Sequence, residues 1–97
     1  MKVIWTPRAQ QRLQEIHDYI ALDQPANAVR WVARVLDRSD QIGEQPRSGR
    51  IVPEYQRDAI RELLEGDYRL IYRIRKQQVD VLTVRHGARR LPSLKRL

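Results

Sequence analysis

The spacing of apolar residues changes once along this chain. Between residues 7 and 43 they recur every three or four positions, the period of one helix face; beyond residue 59 they alternate with polar residues, the period of a strand. A short strand, Lys2–Trp5, comes first. Thr6-Pro7 ends it and supplies an N-cap followed by proline at the first helical position, a strong helix start. Ala9, Leu13, Ile16 and Ile20 form the buried stripe of that helix. Asp23-Gln24-Pro25 breaks it and opens a second helix, with Ala28 or Val29, Val32, Val35 or Leu36, and Ile42 as its stripe and Gly43 as its stop. So short a connection predicts an antiparallel hairpin of helices. Residues 44–58 mix proline, glycine and charge without period, and a loop of that length in a compact domain points to a functional or partner-contacting segment. Strands follow at 59–65, 68–75 and 79–86, joined by a Gly66-Asp67 hairpin turn and then around Lys76-Gln77-Gln78. The order β-α-α-β-β-β predicts an α+β domain: a helical hairpin packed on one face of a mainly antiparallel four-stranded sheet.

Alternation sorts the side chains by face. Tyr68, Leu70, Tyr72 and Ile74 point under the helices, and Arg69, Ile71 and Arg73 point away from them. A tight turn at Gly66-Asp67 adds Ile60, Glu62 and Leu64 to the arginine face, with Glu62 diagonal between Arg69 and Arg73. A cross-strand ion pair of that kind is worth at most about 1 kcal/mol. The last strand has two registers open to it. A two-residue turn puts Leu82, Val84 and His86 on the arginine face; a three-residue turn puts Val81, Thr83 and Arg85 there. The second is favoured, because Leu82 and Val84 then join the core. It also gathers Arg69, Arg73 and Arg85 on one open face as a phosphate-sized cationic cleft.

Charge sharpens the reading. The 97 residues make one domain, spanning 1–97, with a net charge of +7. Residues 1–48 hold seven basic and six acidic groups, and residues 49–97 hold twelve basic and six acidic. From Arg85 onward there are five cations and no carboxylate, which points to an anionic partner, either nucleic acid or an acidic protein segment. The absence of cysteine excludes disulfides and thiolate metal sites and suits a reducing compartment. The apolar run at Met1-Lys2-Val3-Ile4-Trp5 is far too short for a signal peptide or a membrane span, so a cytoplasmic protein without a membrane partner is expected. His17 and His86 stand in unrelated elements with no carboxylate cluster, so neither a metal nor another cofactor is expected. The four glycines are scattered rather than gathered in a phosphate loop, and Ser48 has no neighbouring base. Trp5, Trp31 and, at the stripe margin, His17 read as packing residues.

Three stretches carry a family likeness: the strand Tyr68-Arg69-Leu70-Ile71-Tyr72-Arg73-Ile74, the exit Val84-Arg85-His86-Gly87-Ala88-Arg89-Arg90, and the loop Pro46-Arg47-Ser48-Gly49-Arg50 running into Val52-Pro53-Glu54. In this order and spacing, over residues 3 to 92, the chain resembles the toxins of the RelE/ParE superfamily, which are encoded beside an antitoxin. The resemblance implies the same β-α-α-β-β-β architecture and a cognate acidic antitoxin from an adjacent gene. It also implies one of two targets. Metal-free cleavage of mRNA on the ribosome needs a base, cations for the phosphate and an acid for the leaving oxygen. Under that reading Arg69 matches the phosphate-holding arginine, with His86 and either Glu54 or Glu62 as the other catalytic groups. Yet Ile60 and Glu62 stand where the best-known nuclease pattern has two lysines, and Gly87-Ala88 stands where a tyrosine or second basic group is expected. The ParE branch, which poisons DNA gyrase by binding, is the better likeness. Its implied contact surface for target or antitoxin is Arg61, Arg69, Arg73, Arg85, Arg89 and Arg90. A third reading, a non-toxic basic nucleic-acid-binding domain, has no helix-turn-helix or RRM signature behind it.

Overall fold

In the computed structural model, which describes residues 1–97, strand β1 (Lys2–Trp5) leads into helix α1 (Pro7–Ala21), and α2 (Pro25–Glu44) folds back against it. The first cap works as its residue types predict: Thr6 Oγ1 accepts the Ala9 N–H at 3.1 Å and Pro7 opens the helix. In α2 the alternatives resolve to Ala28, Trp31, Val35, Ser39 and Ile42 as the buried stripe, leaving Val29 and Leu36 exposed. Gly43 is not the predicted stop. It lies inside the last turn of α2, and a Cβ there would come within 2.9 Å of Met1 O and Val3 Cγ2. Glycine is needed for close approach of the helix to β1, and the chain leaves the helix at Gln45.

The sheet has five strands rather than four, in the order β1-β5-β4-β3-β2, with β2 (Arg50–Ile51), β3 (Ile60–Glu65), β4 (Tyr68–Ile74) and β5 (Gln78–His86). The extra strand comes from the segment read as loop. After a single 3-10 turn (Pro46–Ser48), Arg50 and Ile51 pair antiparallel with Glu62 and Arg61. β1 lies parallel to β5, and the other pairs are antiparallel.

Each register considered for the last strand holds over part of its length. Near the turn Ile74 faces Val79 and Arg73 faces Asp80, the pairing of a two-residue turn. Past an irregularity between Ile71 and Tyr72, Ile71 faces Thr83 and Arg69 faces Arg85, the pairing of a three-residue turn. The bulge adds Leu82 to β5. Val79, Val81 and Val84 therefore all reach the helix side, whereas Leu82 goes to the opposite face, reversing the expectation for Val81 and Leu82.

That opposite face is not open, as the single helical layer had implied. One cluster, including Ala9, Trp31, Val35, Ile42, Leu70, Tyr72, Val81 and Val84, fills the space under the helices. A second, Val52, Ile60, Ile71, Leu82 and Leu91, packs on the arginine face with Tyr55, Leu94 and Leu97 against it. The tail after Gly87, whose cations point to an anionic partner, thus also carries leucines that cover the sheet. Tyr55 Oη donates to Pro92 O at 2.6 Å and holds it there. No helix is long and apolar enough to cross a membrane.

Candidate functional site

The segment from Pro46 to Asp58 is tied to the sheet by polar groups from below. Tyr72, wholly buried, donates its hydroxyl to Pro46 O at 2.6 Å and accepts the Gly49 N–H at 3.0 Å. Burial pushes the phenol's pKa up, which keeps it a donor. Arg61 adds Nη1 to Gly49 O at 3.0 Å and Nη2 to Asp58 Oδ1 at 2.8 Å. Its guanidinium is spent on holding this loop. Tyr72 and Arg50 were not singled out as polar site residues; for the tyrosine, the available signal was that a hydroxyl buried in an apolar strand must find a partner.

So anchored, the loop carries Glu54 over β4 and completes an ion cluster. Arg69, 8% exposed at its side chain, donates Nε to Glu62 Oε1 at 2.6 Å and Nη1 and Nη2 to the two oxygens of Glu54 at 2.7 and 2.8 Å. Arg50 Nε reaches the other oxygen of Glu62 at 2.6 Å, and the Glu62 side chain is fully buried. Two guanidinium groups and two carboxylates therefore cancel within one network. The predicted diagonal between Glu62 and Arg69 is present, but as a buried pair rather than the exposed one assumed for its magnitude. Bidentate hydrogen bonds from Arg69 pull the Glu54 carboxyl from an ordinary 4.5 down to about 2, against the opposing effect of burial. The same contact, with Glu62, holds the Arg69 guanidinium above its ordinary value.

A stability profile follows from the sign of the Glu54 shift. A carboxyl whose folded pKa lies below its unfolded value stabilises the fold above the unfolded value, and that contribution disappears as pH falls through the folded one. The full depression corresponds to about 3 kcal/mol. Glu54 is 43% exposed, and solvent screening leaves about 1 kcal/mol. Wild-type unfolding free energy is therefore expected to fall between pH 4.5 and about 2, with Glu54→Gln showing a shallower fall in urea titrations. Identical slopes for the two proteins would contradict the assignment.

Arg85 pairs with Arg69 in backbone register but stands outside this network. It lines instead a cleft of about 330 Å³ between α1 and the end of β5, together with Arg12, Arg89 and His86. Burial first, then repulsion from Arg12 and Arg89, lowers its pKa. The His86 ring meets Tyr68 edge-on at 5.3 Å between centroids, and its Nδ1 lies 3.0 Å from the Ala88 N–H. A nitrogen that accepts from a backbone donor carries no proton, so the neutral ring bears its proton on Nε2. Glu54, Arg69 and His86 border one shallow depression with Gly66 and Gly87, yet His86 makes no hydrogen bond to either carboxylate. Arg73 lies at the far end of β4 opposite Ile60 and Asp80, and Arg90 is exposed in the tail. The expected cleft of Arg69, Arg73 and Arg85 does not form: one is sequestered by carboxylates, one is remote, and one turns to another surface.

Comparison with known proteins agrees with this architecture. Residues 3–91 match the family model described as ParE toxin of type II toxin-antitoxin system, parDE. Y4kP of Sinorhizobium fredii, named as a toxin, is 39% identical over 95 residues, covering 96% of this chain and 95% of the relative. Toxin RelE2 of Caulobacter vibrioides is 31% identical over 88 residues, covering 91% and 97%. Among solved structures, the chromosomal ParDE system of P. aeruginosa superposes with a TM-score of 0.75 at 20% identity, covering 89% of this chain and 95% of that one. The RelBE2 toxin–antitoxin complex of Mycobacterium tuberculosis gives 0.63 at 25% identity, covering 88% and 95%. The chain belongs to the ParE toxin family of type II toxin–antitoxin systems, within the RelE/ParE superfamily.

Proposed function

We propose that this toxin stops growth by binding and poisoning DNA gyrase, without chemistry of its own on a nucleic acid. The observation that carries the reading is the state of Arg69. In an RNA-cleaving relative this guanidinium would hold the scissile phosphate; here each of its three nitrogens is bonded to a carboxylate. His86 adds to the argument, because with Nδ1 engaged by Ala88 and the proton on Nε2, neither nitrogen offers a lone pair to a 2′-hydroxyl. Cationic groups that bind, without a base that reacts, suit a toxin whose target is a protein–DNA complex.

Its partner is an acidic antitoxin. The groove between the two helices, floored by Trp5, Leu13, Val32 and Leu36, leaves apolar surface in water on a chain of net charge +7. An acidic amphipathic segment satisfies both features, and the similarity to ParDE and RelBE2 systems supports a partner of that kind. The test is pulsed expression in bacteria with DNA, RNA and protein synthesis followed separately. DNA synthesis is expected to stop first, in filamentous cells, with growth restored when the neighbouring acidic gene product is co-expressed. Early arrest of translation with cut mRNA would overturn the gyrase reading in favour of a ribosome-dependent endonuclease.

A further inference from the structure

Positive charge collects without matching carboxylates in the cleft where α1 meets the end of β5. Arg12, Arg85 and Arg89 line it, and Arg8 is close enough to act on Arg85 through space. The single carboxylate there, Glu15, is already bonded to Arg12 Nη1 at 3.1 Å. Arg85 Nε is buried and has no acceptor. A buried guanidinium N–H without a partner is uncommon, because leaving it unmade costs about 1–3 kcal/mol. Arg69, its register partner on β4, has each of its three nitrogens bonded to a carboxylate. The cleft is also open to entry: β1 ends with Trp5 opposite Val81, so no strand flanks β5 beyond that point.

The lining has a second character. Ile16, Val84 and Tyr68 give it apolar walls, and Tyr19, 72% exposed, stands at its edge with no packing role that would explain an aromatic ring in water. His86 brings an Nε2–H donor to the same space. We propose that this cleft binds a phosphate monoester of a molecule that also carries a flat ring, as in a 5′-nucleotide, with the phosphate on Arg85 and Arg89 and the ring against Tyr19. The charge selects the ester. Three guanidinium groups against one carboxylate leave two positive charges, and a monoester carries roughly −1.5 to −2 at neutral pH, whereas a backbone diester carries about half of that. Arginine forks are suited to its oxygens. A volume of about 330 Å³ is at the small end for ligand sites, which run from roughly 300 to 1,000 Å³, so a single nucleotide, free or at the end of a strand, fills it. The site is independent of the gyrase reading and stands or falls by itself.

The experiment is calorimetric titration of the purified chain with adenosine monophosphate, adenosine and inorganic phosphate at low salt. Adenosine monophosphate is expected to bind with a Kd below about 1 mM, at least tenfold tighter than either fragment. Arg85→Gln and Arg89→Gln should each weaken it about tenfold or more, while Lys76→Gln on the distant β4–β5 turn leaves it unchanged. Arg89 is exposed in the chain after β5, so its variant is expected to keep the fold and the test holds even if Arg85→Gln does not fold. Absence of binding, equal binding of adenosine, or full affinity in Arg89→Gln would overturn the proposal. A 5′-phosphorylated trinucleotide separates the sources. Equal affinity assigns the site to free nucleotides and higher affinity assigns it to nucleic-acid ends; both support it.

Discussion

Arg69→Ala is expected to destabilise the protein by about 3–5 kcal/mol, the cost of leaving a buried charge without its partner. Glu62 is fully buried and would keep only Arg50, whose side chain is 59% exposed and held by one nitrogen. Glu54 would lose both of its hydrogen bonds to Arg69. Native domains are stable by only about 5–15 kcal/mol, so the loss approaches unfolding. In a domain of this size it lowers the melting temperature by roughly 15 °C or more. Arg69→Met combined with Glu62→Leu, which removes the pair together, is expected to recover most of the loss, because well-packed apolar replacements of buried ion pairs are often neutral. Chemical denaturation of the three proteins decides it; a single variant within 1 kcal/mol of wild type would mean the network contributes little. The result bears on function as well. Loss of toxicity in Arg69→Ala follows from unfolding alone and says nothing about catalysis, so His86→Ala, on a partly exposed residue, is the informative variant.

Gly49→Ala is expected to cost about 2–3 kcal/mol and to release the loop that carries Glu54. The backbone at Gly49 is ordinary, with φ near −79°, so the demand is for space. A Cβ there would run into the Tyr72 hydroxyl and stand 2.6 Å from Glu62 O, neither of which can retreat. Tyr72 is wholly buried, and Glu62 O belongs to β3. The expected readout is a lower denaturation midpoint together with early proteolysis between residues 46 and 58. Unchanged stability with an intact loop would show that β2 can shift outward freely. Adding Tyr72→Phe should restore only part of the loss, since the carbonyl remains in the way and Pro46 O and the Gly49 N–H lose their partner.

The helices were legible because their signals are local. Thr6-Pro7, Asp23-Gln24-Pro25 and the spacing from Ala9 to Ile42 are read within a turn or two of where they act. The β5 register was not, because alternation looks the same on either side of an inserted residue and nothing local distinguishes Leu82 as the bulge. The Arg69–Glu62 diagonal was readable from strand pairing, but its burial was not. That depends on Val52, Leu91 and Leu94 arriving from distant parts of the chain to cover the face. Charge in the tail drew attention away from its leucines. Among the candidate arginines, residue type indicated which carried charge, while the difference between satisfied Arg69 and unsatisfied Arg85 arises from loop docking and from where β1 ends.

The sheet order has a kinetic consequence. β3, β4 and β5 are hairpin neighbours whose closures span a few residues, whereas β1 must find β5 across a separation of 76 positions, as Thr6 and Leu82 illustrate. Closing that larger loop costs roughly 2–3 kcal/mol more in chain entropy than closing either hairpin. The meander is therefore expected to assemble first and the first strand to dock last. Each stage has its own fluorophore. Trp31 sits in the cluster where α2 meets the meander, and Trp5, bonded to Ser39 Oγ at 2.9 Å, lies on the strand that closes the structure. Docking of the first strand is therefore expected to change the emission of Trp5, which lies on it, more than that of Trp31, against whose cluster it packs.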